Sequence, residues 1–215
     1  MSLLKFPVKF VVSLGLGLLM AGSVASTQAA DLKTTQTQPV SSVDLTRYMG
    51  TWYEVGSIPM FFQRMCIQNT QAQYTLLDNG AVKVINQCQK KDGSLAKAEG
   101  RAKVVNTTQN SRLKVSFLAY PFQLLARGDY WIIDLASDYR YAVVGHPSRK
   151  YGWILSRDRI LRSEDLMTVR DNLKKQGYDP CRFHMTPQQE PSPETSHVSF
   201  SIPNPPTRLC DLPLP

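Results

Sequence analysis

Between Trp52 and Arg157 the chain alternates short apolar-rich runs with turn residues. The runs cover residues 73–77, 82–88, 98–105, 113–118, 130–135, 141–145 and 151–157, with a further run starting at Trp52. Asp78-Asn79-Gly80 parts the first pair, and Asn-Gly between two such runs is a strong hairpin signal. Lys90-Lys91-Asp92-Gly93-Ser94 marks a second turn. The pattern predicts an all-β fold, an eight-stranded antiparallel up-and-down β-barrel. Closing the sheet removes its open edges, and a barrel of this size leaves room for one small ligand. One helix follows. Leu166, Val169 and Leu173 recur at helical spacing. Ser163 is the expected N-cap, Glu164 and Asp165 place negative charge in the first turn, and Gly177 stops the helix.

Side chains alternate between the two faces of a strand. If Trp52 points inward, so do Glu54, Ala72, Tyr74, Val82, Val84 and Asn86. The same phase turns in Ala98, Gly100, Ala102, Leu113, Val115 and Phe117, then Tyr130, Ile132, Ala142, Val144, Tyr151, Trp153 and Leu155. Lys83, Lys103, Lys114, Ser116, Trp131 and Arg140 face outward. The inward set mixes aromatics with alanine and glycine, so small residues leave space that large ones line. A ligand pocket looks like this, but a solid core fits the periodicity equally well. Glu54 is ambiguous: it can pair with a tyrosine or Asn86, orient a ligand head group, or sit in water at the rim. Phe61, Phe62, Tyr120 and Phe122 lie in loops beside Pro59 and Pro121. They can rim a mouth, touch a membrane surface, or form a local staple.

Three blocks stand in a fixed order: Gly50-Thr51-Trp52 opening the first strand, Ser137-Asp138-Tyr139 between two later strands, and Arg157 closing the last. Together with the wording DLTRYMGTWYEV, YTLLDNGAVKVINQC, DYRYAVV and GWILSR, they resemble the lipocalins, and within them the bacterial lipocalin and apolipoprotein D group. The resemblance spans about residues 43–186. It implies a calyx with the helix packed outside. The expected ligand-lining set, taken from the inward phase, is Tyr74, Val84, Asn86, Ala102, Val115, Phe117, Tyr130, Ala142, Val144, Tyr151 and Trp153, of which Tyr74 and Trp153 match positions that line the pocket in similar proteins. Phe61, Phe62, Tyr120 and Phe122 are the expected mouth. Gly50, Trp52 and Arg157 are the expected structural base, with the guanidinium stacked on the indole and donating to carbonyls of the first turn.

Residues 1–30 read as a secretory signal peptide: Lys5 and Lys9, an apolar run from Phe10 to Met20, then small residues up to Ala30. No cysteine precedes Cys66, so the expected protein is periplasmic or secreted, without the N-terminal lipid that many bacterial relatives carry. Residues 31–42 read as a linker, and residues 187–215, dense in proline, as a poorly ordered tail. The chain carries a formal charge of +8, of which the signal supplies two lysines and no acid. The basic residues are scattered, which suits a solvated surface and excludes a nucleic-acid stripe.

The four cysteines, in an oxidising compartment, point to disulfides. Counting back from the hairpin turn puts Cys66 within reach of Cys88 if a bulge intervenes, which favours Cys66–Cys88 with Cys181–Cys210. The resemblance to apolipoprotein D implies instead a bond from Cys66 to the C-terminal tail. The leading functional expectation is a binding protein for a small hydrophobic ligand, a fatty acid, lysophospholipid or similar lipid, with no cofactor. The competing one is an enzyme of the same fold that acts on a bound lipid through an inward thiol, Cys88, or an inward acid. Nothing forms a Ser-His-Asp set, and His146, His184 and His197 show no metal-ligand spacing.

Overall fold

A computed structural model describes residues 36–118, 127–189 and 207–212. Eight antiparallel strands close a barrel: β1 (Gly50–Ser57), β2 (Cys66–Leu76), β3 (Val82–Lys90), β4 (Leu95–Val104), β5 (Arg112–Ser116), β6 (Gly128–Leu135), β7 (Tyr141–Gly145) and β8 (Gly152–Ser156). Each pairs with its successor, and β8 and β2 both pair with β1 to shut the ring. A two-residue strand, β9 (His184–Met185), adds to the free part of β1. Helix α1 (Leu45–Tyr48) precedes β1, and helix α2 (Ser163–Lys175) packs on the outside of the barrel.

The β2–β3 hairpin turns where Asn-Gly stands. Gly80 has φ +75°, and Asn79 Oδ1 accepts from the Ala81 N–H. β2 starts at Cys66, well before the run at residue 73, because two register shifts between Cys66 and Gln71 break its alternation. Asn69, at φ 54°, sits in this irregular stretch.

Ser163 does not cap α2. Arg162 holds the cap position without a side-chain bond, and Ser163 is already helical. Val169 and Leu173 are the buried apolar positions of the helix, with Leu166 packed at the margin. Asp165 is buried and receives both Arg140 Nε at 2.9 Å and Arg140 Nη2 at 2.6 Å. Arg140 thus faces outward as expected, yet it is bound to the helix rather than solvated. Ser116, expected outward, is instead buried and borders the barrel's inner cavity, its Oγ accepting from the Leu118 N–H.

Two stretches outside the barrel proper are packed against it. Thr37, within the expected linker, is 1% exposed, and the Val40 N–H bonds the Ile132 carbonyl at 2.8 Å. Leu209, within the expected tail, is 1% exposed, and Arg208 bridges to His184. Disulfides join Cys66 to Cys88 and Cys181 to Cys210. The second ties residues 207–212 down, and the first spans the register shifts of β2. No helix among the described residues is long and apolar enough to cross a membrane.

Candidate functional site

Strand alternation gives the barrel an inner apolar face, but that face is not filled throughout. Trp52, Ile132, Ala142 and Val144 are fully buried and belong to one packed cluster with Val43, Val104 and Leu155. The rest of the interior is a cavity of about 820 Å³. Its wall holds Tyr74, Val84, Asn86, Ala102, Val115, Phe117, Tyr130, Tyr151 and Trp153, with Phe61 and Phe62 at the mouth. Ala142 and Val144 have the expected inward phase and do not reach the cavity. Each is 0% exposed and closed in by its neighbours, so these two are corrected from ligand-facing wall to packed interior. Tyr120 and Phe122 lie outside the described residues.

The base is built from the first turn. Asp44 caps α1 by accepting from the Thr46 and Arg47 N–H groups. Gly50 then takes φ +93°, a conformation that favours glycine, and delivers Trp52 into the interior at 0% exposure. Trp52 Nε1 donates to the Tyr48 carbonyl at 2.8 Å. The Arg157 guanidinium lies 3.8 Å from the Trp52 ring centroid. It donates to the carbonyls of Thr51, Arg47 and Met49 at 2.7–2.8 Å. The arrangement joins the first and last barrel strands around one buried indole.

The same turn carries residues that strand phase did not place in the site. Leu45, Tyr48 and Met49 line the cavity from α1. Tyr48 Oη lies 2.8 Å from Tyr130 Oη, and Tyr74 Oη lies 3.0 Å from Tyr130 Oη. Burial pushes the Tyr74 phenol up to about 12 and raises Tyr48 and Tyr130 well above the usual tyrosine range, so all three stay protonated. The cue for Tyr48 is Asp44, a helix cap rather than a strand residue.

Glu54 lines the cavity near the mouth and is 6% exposed. Its partners are neither a tyrosine nor Asn86. Ser57 Oγ and Thr186 Oγ1 donate to Oε1 at 2.8 and 2.9 Å, and Gln63 Nε2 donates to Oε2 at 3.1 Å. Desolvation still outweighs these donors and holds the carboxyl above its ordinary value. Glu54 therefore ties the 60s loop and the segment after β9 to β1. Cys88 borders the cavity but is bonded to Cys66, so the thiol that the enzymatic alternative requires is absent. Among the described residues no group of three His, Cys, Asp or Glu side chains could hold a metal ion.

An eight-stranded calyx with an apolar interior, closed by an indole–guanidinium plug, defines a lipocalin. The Lipocalin-like domain model matches residues 43–188, and the chain belongs to that family. It is 36% identical over 160 residues to temperature-induced lipocalin-1 of Arabidopsis thaliana, covering 73% of this chain and 86% of that one. Apolipoprotein D of Oryctolagus cuniculus is 36% identical over 176 residues, covering 77% and 88%. Outer membrane lipoprotein Blc of Escherichia coli K12 is 35% identical over 145 residues, covering 67% and 78%. None of these three carries an enzyme's name.

Proposed function

We propose that this lipocalin binds and carries a small hydrophobic ligand, a fatty acid, lysophospholipid or similar lipid, outside the cytoplasm. The observation that carries the reading is the cavity of about 820 Å³, walled by apolar side chains and open at one end of the barrel. Apolar burial contributes roughly 25 cal/mol per Å² before ordering costs, so an acyl chain binds there without dedicated chemistry. An apolar void offers water few partners, which favours a ligand as its occupant. The signal-like residues 1–30 and the outer-membrane name of one relative support an extracytoplasmic location, periplasmic or secreted.

The mouth supports peripheral contact with a membrane, where such a ligand would be exchanged. Phe61 is 76% exposed, and Phe62 and Met65 are each 51% exposed. Exposed Arg64 and Lys97 stand beside them, which suits an anionic lipid surface. Phe61→Ser with Phe62→Ser is expected to lower co-flotation with anionic vesicles, and unchanged flotation would remove this element.

Native mass spectrometry of protein from its own host, followed by lipid extraction, tests the main reading directly. In solution, lipid should change tryptophan fluorescence saturably. Trp153→Ala should weaken binding by about tenfold, more than Trp131→Ala, because Trp153 lines the cavity while Trp131 stacks with Arg112 on the outer face. A panel of fatty acids and lysophospholipids that gives no saturable signal would overturn the lipid-carrier reading.

A further inference from the structure

The cavity is apolar over most of its wall, and its polar atoms are unevenly distributed. Tyr48, Tyr74 and Tyr130 form a chain of three hydroxyls linked by two short contacts. Each hydroxyl has a single proton to donate. Two hydrogen bonds use two of them, whichever way the chain runs, and a third proton is left over. Among the described residues no other acceptor lies within bonding distance of these oxygens. All three tyrosines line the cavity, so whichever of them holds the surplus proton holds it in the cavity wall. A second unmatched group lies one step higher on the same wall: β3 pairs Val84 with Tyr74 and Asn86 with Ala72. Asn86 Oδ1 is buried without a hydrogen-bond partner.

We propose, building on the lipid-carrier reading, that the ligand is a monocarboxylic lipid held head-down. Its carboxyl group takes the leftover tyrosine proton and the Asn86 amide at the closed end, and its alkyl chain rises toward the mouth.

A carboxyl group fits both orphan sites. As a carboxylate, its oxygens accept from a tyrosine O–H and, with the Asn86 amide turned over so that Nδ2 stands where Oδ1 is now unmatched, from that amide. As the acid, its carbonyl accepts from tyrosine and its O–H donates to Asn86 Oδ1. The raised phenol pKa values keep the donors in place at every physiological pH. The floor around the trio is otherwise Val82, Ala102 and Leu113, so a zwitterionic head group would leave its cation without a partner there. The opposite end suits a chain terminus: Phe61, Phe62 and Met65 surround it, and Glu54 near the mouth is already saturated with donors.

The test uses the full-length protein and three ligands: palmitic acid, palmitoyl lysophosphatidylcholine and hexadecane. Palmitic acid should bind about tenfold or more tighter than either of the others, the difference that one or two charge-assisted hydrogen bonds give. Tyr48→Phe/Tyr74→Phe/Tyr130→Phe keeps the rings and removes every phenolic proton. It should bring palmitic acid down to the level of hexadecane while hexadecane stays unchanged, which also shows that the variant is folded. A second measurement needs no mutation. A fatty acid with a dansyl group on its terminal carbon should bind the native protein, and the same chain with dansyl amide-linked through the carboxyl should lose at least tenfold. Equal binding of the two tagged chains, or tighter binding of the carboxyl-tagged one, overturns head-down docking in favour of a head group at the mouth near Lys97 or Arg127. If hexadecane binds as tightly as palmitic acid, the carrier reading stands and this one falls. If no ligand binds, both fall.

Discussion

The two halves of the barrel are built differently. In β7 all five residues are buried, and in β8 four of five are. Their outward side chains, Tyr141, Val143 and Ile154, pack with Ile133 of β6 and with Val169, Leu173, Tyr178, Phe183 and Leu209 from α2 and the C-terminal segment. β3 to β5 have one apolar face only. Their outer sides carry surface ion pairs such as Lys83–Glu99 and Lys114–Asp129. A sheet covered on both faces reads as continuous apolar runs, and one covered on a single face reads as alternation. YAVVG and GWILS are of the first kind, VKVINQC of the second. The difference assigns the two halves distinct work. The double-sided half supplies stability through a solid exterior core. The single-sided half, against whose outer face no described element packs, can be spread around an open interior.

The close approach of C-terminal aromatics shows how tightly the outer core is filled. A Cβ on Gly152 would stand 2.6 Å from the Phe183 ring, and one on Gly145 would stand 2.7 Å from Tyr178 Oη. Phe183→Ala, at a site with 0% exposure, is the largest single lesion we expect, about 3–5 kcal/mol by urea unfolding. Lipid affinity of the folded fraction should change little, since Phe183 lies outside the barrel. A loss below about 1 kcal/mol would break the assignment of stability to this face.

Arg157→Ala probes the junction where the halves meet. It removes the cation from Trp52 and leaves the carbonyls of Arg47, Met49 and Thr51 without their donor. The expected cost is roughly 1–3 kcal/mol, with ligand affinity nearly unchanged. Unchanged stability with lost binding would reverse the roles of base and cavity.

Much of this division was legible in the sequence. The runs, the Asn79-Gly80 hairpin and the family blocks define the closed barrel, and nine of the eleven inward side chains named from the sequence border the cavity. What phase does not carry is whether the space a side chain faces is filled. Ala142 and Val144 point inward like Ala102 and Val115, yet they meet Trp52, Ile132 and Leu155 rather than space. Nor does composition reveal that Leu209, in a proline-dense stretch, is buried, because its attachment depends on a disulfide to Cys181 and on Phe183. Glu54 was undecidable for a similar reason: Gln63 comes from a loop, and Thr186 is 132 residues away in the chain.

Filling can be tested by one substitution made at two inward positions. Ala142→Phe must force a ring into a filled layer and should cost about 1–3 kcal/mol of stability. Ala102→Phe faces the cavity. It should cost less than that while reducing affinity for long acyl chains before short ones, measured by tryptophan fluorescence titration. If the two variants behave alike, the interior is not divided into filled and open parts as described.

The smallest expected effect lies in the seam where the mouth loop and the C-terminal segment meet β1. Burial raises the folded-state pKa of Glu54 above its unfolded value, partly offset by the donors Ser57, Thr186 and Gln63. A carboxyl raised in this way is favoured in its neutral form, so its contribution to stability is fully present at low pH. That contribution is lost as pH rises from the ordinary glutamate range through the folded pKa. The geometry contains what the neutral form needs: Gln63 Oε1 is buried and has no partner. A rotation of the Gln63 amide would let it accept a proton from Glu54. Glu54→Gln makes that neutral donor permanent. Its Oε1 can still accept from Ser57 and Thr186, and its amide can donate to Gln63 Oε1. The variant should therefore match or exceed the parent at pH 7, by about 1 kcal/mol or less. It should also lose the decline in stability that the parent shows as pH rises above the usual carboxylate range. Urea midpoints across pH 4–8 check both points. A variant markedly less stable at pH 7 with an unchanged pH profile would show that the ionised carboxylate itself holds the seam together.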